Sequence, residues 1–77
     1  MILIKIGDKS YSPIKNGNQT SIQLPKSSID SEHIRLGSSI EFQYVPFLET
    51  VPNLFATVTN VELWDDGYWY MVYFKLN

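Results

Sequence analysis

Two apolar segments, Leu54–Leu63 and residues 68–76, flank Asp65-Asp66-Gly67, and no other feature constrains the fold of this chain as tightly. Asp-Gly between β-rich runs is a hairpin signal, because both residue types tolerate the positive φ that a tight turn demands. In the second segment Tyr68, Tyr70, Val72, Phe74 and Leu76 alternate with Trp69, Met71 and Tyr73, so both faces of the strand are apolar. A strand of that kind is covered twice, by a barrel that encloses it or by a partner that docks on it. Every aromatic residue except Tyr11 lies from Phe42 onward, which divides the chain into two halves of different composition.

The first half is punctuated by turns. Residues 1–6 are β-branched enough for a strand, and Gly7-Asp8-Lys9 closes it. Residues 10–14 read as a second strand, with Pro13 confining it to an edge or a strand end. Asn16-Gly17-Asn18 is a further turn, after which residues 20–24 alternate with Thr20, Ile22 and Leu24 on one face. Pro25 ends that strand because it has no N–H for the ladder. Residues 27–34 are the expected helix: Ser27 is a cap, Asp30 follows three positions later, and Ile29 and Ile34 face the core. Gly37 stops it. Residues 39–45 form a strand with Ile40, Phe42 and Tyr44 on one face. Residues 46–53 hold two prolines and form a loop, although Phe47, Leu48 and Val51 are too apolar to stand idle in solvent. The fold expected is mainly β: a small β-barrel-like single domain over residues 1–77, with five to six short strands and one short helix.

Seventy-seven residues bury only about 60–65% of the surface their unfolded chain exposes, so such a domain is marginal alone. The chain contains no cysteine to staple it or to hold a metal, and oligomerisation as a homodimer is the remaining expectation. The formal charge is −2, from six basic and eight acidic residues, which excludes a strongly basic nucleic-acid binder. Lys5 ends the opening apolar run far short of a signal peptide or a membrane span. A cytoplasmic protein with no membrane partner is therefore expected.

No catalytic constellation is legible. Asp65 and Asp66 are adjacent carboxylates on a hairpin tip, where neighbours point apart and stay solvated. His33 lies near Glu32 and Asp30, yet no Ser or Cys stands in a nucleophile context. Gly17 and Gly37 each stand alone, so there is no phosphate-cradling loop, and lone His33 cannot build a metal site. The expectation is a non-enzyme without cofactor or metal. The aromatic stripe Trp64, Trp69 and Tyr73, with Phe47 in the neighbouring loop, has two readings. It is core or dimer-interface packing, or it is a surface that grips a partner. Only Lys75 is near, so base stacking would lack its usual phosphate attraction, and a protein is the better-matched partner. In that case the chain is a monomeric SH3-like small barrel, serving as an adaptor or inhibitor.

From residue 14 to residue 44 the chain resembles the AbrB/MazE-like family of swapped-hairpin DNA-binding domains. Lys15, Gly17-Asn18, Ile22, Leu24-Pro25-Lys26, Ile29, Ile34, Gly37, Ile40 and Phe42 follow that family's order without a gap. Gln19 stands where the family usually has Ser, and Ser38 where it has an acidic residue. The resemblance implies an obligate dimer made by exchanged hairpins, acting on double-stranded DNA as a regulator or as an antitoxin with a toxin partner. It implies Lys15, Asn18 and Lys26 as the positions nearest DNA. Lysine neutralises phosphate and an asparagine amide can read adenine, so the residue types suit that role. Residues 54–76, the aromatic hairpin, are an addition to the family's pattern.

Overall fold

The hairpin forms where the Asp-Gly signal places it. In the computed structural model, which describes residues 2–27, 34–45, 51–64 and 66–77, the order is β1 (Ile2–Ile6), α1 (Asp8–Lys15), β2 (Ser21–Pro25), β3 (Ser39–Tyr44), β4 (Leu54–Leu63) and β5 (Trp69–Leu76). The strands form one sheet in the order β1-β3-β4-β5-β2, curled into a half-barrel. The mainly β, barrel-like domain expected from the pattern is thus the fold observed. β1 runs parallel to β3, and the other neighbours are antiparallel.

The concave face holds the core. Ile4 and Ile6 of β1, Ile40 and Phe42 of β3, Ala56 and Val58 of β4, and Val72 and Phe74 of β5 are all buried. The rings of Phe42 and Phe74 lie 4.9 Å apart at a tilt of 56°, a geometry that adds to plain area burial. Ile22 and Leu24 of β2 pack on this cluster as alternation requires, while Thr20, expected on the same face, is exposed. Ile34 is buried in the core as predicted, but the helix expected over residues 27–34 falls largely outside the described residues.

The helix that is seen corrects the reading of residues 10–14 as a strand. α1 starts after Gly7, whose carbonyl accepts from the N–H groups of Ser10 (3.1 Å) and Tyr11 (3.0 Å). Its period brings Tyr11 and Ile14 to one side, and both are buried in the same cluster as the sheet residues. Strand alternation separates those two positions and helical spacing joins them, so burial of the pair decides in favour of the helix. Tyr11 also meets Tyr44 edge-on at 5.1 Å and donates to the Pro52 carbonyl at 2.8 Å, while the Tyr44 hydroxyl donates to Asp8. Pro13 sits inside the helix without breaking it.

Asn16-Gly17-Asn18 is a turn, as expected, but one that leaves a helix and not a strand. Gly17 has φ +80°, its N–H donates to Ile14 O, and the Asn18 N–H donates to Pro13 O. These two bonds make a Schellman cap, in which a left-handed glycine satisfies the last helical carbonyls. Because Ile14 is fully buried beneath the half-barrel, Ile14→Ala is expected to cost about 2–5 kcal/mol. Urea unfolding followed by far-UV circular dichroism measures this; an unchanged midpoint would show that α1 is no part of the core.

Candidate functional site

The register of β4 decides which side chains meet at the far end of the hairpin. Ala56, Val58, Val61 and Leu63 are the alternating apolar positions of β4, and their spacing slips by one between Val58 and Val61. Pairing slips with it: Val58 opposes Phe74, but Asn60 opposes Tyr73 and Val61 opposes Val72. This is a β-bulge, an extra residue that shifts the inward set from even to odd positions. Beyond it Asn60, Glu62 and Trp64 fall on the convex face.

The convex face of β5 carries Trp69, Met71 and Tyr73, so the aromatic stripe does share one side of the sheet. Its neighbours differ along its length. Tyr73 lies between Asn60 and Ser21, and Met71 between Glu62 and Gln23. Those flanks are polar, as on an ordinary solvated face. At the tip the row becomes Trp64, Trp69 and Pro25: the Trp64 N–H donates to the Trp69 carbonyl at 2.9 Å, and Pro25 pairs with Trp69 on the other side. Trp64 is 38% exposed and Tyr68, next in the loop, 73%. Apolar surface is therefore concentrated at one end of the stripe.

The loop is held in shape by its own sequence. Gly67 has φ +72° and donates to Trp64 O at 2.9 Å, while the Asp66 carboxylate accepts the Tyr68 N–H at 2.9 Å. Lys26 donates through its backbone N–H to Tyr68 O at 2.8 Å, which fastens the end of β2 to the hairpin. Two hollows flank the tip. One, of about 540 Å³, is lined by Pro25, Lys26, Ser27, Gly67, Tyr68 and Trp69. The other, of about 390 Å³, is lined by Glu62, Leu63, Trp64 and Asp66. Sequence reading singled out Trp64, Trp69 and Tyr73 but missed Glu62, Pro25 and Tyr68 as their neighbours. The slip in the alternation of β4 is the sequence signal that could have found Glu62.

The three positions proposed for DNA do not converge. Lys15 ends α1 and Asn18 lies in its cap, both exposed, whereas Lys26 follows the opposite end of β2. The strand alone separates those ends by roughly 13 Å. Lys26 directly follows β2, a sheet edge that pairs among the described residues only with β5, whereas Lys15 and Asn18 precede that strand. That edge is blunted. Thr20 O accepts from Phe74 N–H and Lys26 N–H donates to Tyr68 O, so even-numbered residues of β2 face β5 and Ser21, Gln23 and Pro25 face outward. Pro25 has no N–H to offer there, and the Ser21 carbonyl is occupied by the Gln19 side-chain amide at 3.0 Å.

Phe47, His33, Glu32, Asp30 and Asp65 lie outside the described residues. Among the described residues no cluster of His, Cys, Asp or Glu could hold a metal ion, and no helix is long and apolar enough to cross a membrane.

Trp64 and Trp69 are the two tryptophans of the chain, so its indole fluorescence reports on the hairpin tip alone. Acrylamide is expected to quench that emission efficiently in the free protein. Emission resistant to quenching would mean that the tip is covered. No protein-family model matches this chain, and no curated protein matches it in sequence.

Proposed function

We propose that this protein acts by binding, not by catalysis, and that the hairpin tip is the surface on which it holds a protein partner. The observation that carries this reading is the convergence of Trp64, Trp69, Tyr68 and Pro25 around two hollows at one end of the sheet. Aromatic side chains supply a large contact area at low entropic cost, and they dominate binding energy wherever proteins meet. The rigid register of β4 and β5 presents them preorganised, which lowers the ordering cost of association.

Trp69→Ala is expected to abolish partner capture while leaving the unfolding midpoint close to that of the parent, because this indole lies outside the core. Loss of the fold in this variant, or capture at undiminished affinity, would sink the assignment.

A second reading follows the AbrB/MazE-like resemblance: a small dimeric regulator or antitoxin that contacts duplex DNA through Lys15, Asn18 and Lys26. Its support is the resemblance itself and the exposure of all three residues. In that case charge reversal at Lys15 and Lys26 abolishes duplex binding at low salt, and the parent's affinity falls steeply with salt. Light scattering separates the two readings, since the DNA reading requires a dimer and the tip reading holds for a monomer. A monomer that shifts no duplex at low salt eliminates the DNA reading.

A further inference from the structure

The two hollows at the hairpin tip differ in chemistry. The larger is lined by Pro25, Gly67, Tyr68 and Trp69, with Lys26 and Ser27 at the end of β2 adding one cation and one hydroxyl. The smaller is lined by Leu63, Trp64 and two acidic residues, Glu62 and Asp66, with no basic residue among the described residues of its lining. One Glu62 oxygen accepts from the Tyr73 hydroxyl at 3.4 Å, and one Asp66 oxygen accepts the Tyr68 N–H at 2.9 Å. Among the described residues the second oxygen of each carries no hydrogen bond.

Resting on the reading of the tip as a protein-binding surface, we propose that its occupant is an extended peptide segment bearing an arginine. The guanidinium stacks on Trp64 between Glu62 and Asp66, and the apolar residues that follow it cross the tip onto Tyr68 and Trp69. Charge complementarity selects this occupant. An indole face attracts a cation, and carboxylates alongside add charge-assisted hydrogen bonds. Arginine suits the hollow better than lysine because its planar fork stacks and bonds two acceptors together. A net charge of −2 draws basic segments toward the chain. The same carboxylates repel phosphate, which disfavours a nucleic acid. A small amine would fill the acidic hollow alone and leave the larger, mainly apolar one empty, whereas a peptide chain is long enough to reach both.

A phage-displayed library of random short peptides, selected in parallel on the full chain and on its Trp69→Ala variant, tests this. Enriched sequences are expected to share an arginine beside apolar residues. Followed by tryptophan fluorescence, citrulline in place of that arginine should weaken binding about tenfold. The double variant Glu62→Gln, Asp66→Asn retains acceptors for Tyr73 and the Tyr68 N–H, and it should lose the preference for arginine over citrulline. Enriched peptides without arginine, or equal discrimination by the double variant, would overturn the arginine assignment while leaving the tip a protein-binding surface. No enrichment over Trp69→Ala overturns both. Fluorescence quenching by short oligothymidylate that Trp69→Ala abolishes would replace the peptide with a nucleic acid.

Discussion

The antiparallel pairing of β4 with β5 is the contact on which the remaining structure depends. β3 pairs with β4 and β1 with β3, so one half of the sheet hangs from one strand of the hairpin. β2 hangs from the other. Local contacts of this kind form early and cheaply, because a short loop closes at little entropic cost. The parallel β1–β3 pair needs a crossover, and α1 with β2 supplies it. A small half-barrel has an open side, and in this molecule Tyr11 and Ile14 of α1 join the core there. The helix is therefore the part of the crossover that completes the hydrophobic cluster, and its Schellman cap turns the chain into β2.

Much of this was legible in the sequence. The hairpin, the boundaries of β4 and the inward face of β3 followed from turn chemistry and alternation, whereas β5, apolar on both sides, showed its two faces but not which one turns inward. The misreading of residues 8–15 has a specific cause. Pro13 is unfavourable inside a helix, and four serine or lysine residues surround only two apolar ones, so no period was strong over so short a stretch. Tertiary burial of Tyr11 and Ile14 overrides that weak propensity. Gly17 was rightly seen as a turn, but a left-handed glycine serves a helix end and a hairpin equally, and one residue cannot say which.

The candidate site was half legible for a related reason. Composition pointed to Trp64, Trp69 and Tyr73, yet only pairing shows that Asn60, Ser21, Glu62 and Gln23 surround the middle of the stripe with polar groups. The stripe has different surroundings along a single strand: polar neighbours at Tyr73, aromatic residues and proline at Trp69. The positions drawn from the family resemblance are exposed, and the β2 edge that leads to Lys26 has part of its hydrogen-bonding capacity already removed by Pro25 and Gln19. Two sheets joining along that edge would find few free partners.

The bulge between Val58 and Asn60 makes β4 a strand of two phases. Ahead of it, side chains are committed to the core; beyond it, the same alternation is read with opposite parity. Deleting Thr59 would remove the extra residue and leave a regular ladder, with Ala56, Val58 and Val61 still inward and Glu62 and Trp64 still on the convex face. Were every residue of β4 paired without the bulge, Asn60 and Glu62 would face inward and Val61 outward, and Trp64 would turn with them. The one extra residue thus reconciles two demands on a single strand: an apolar side that follows the core past the bulge, and a hairpin tip that turns Trp64 outward.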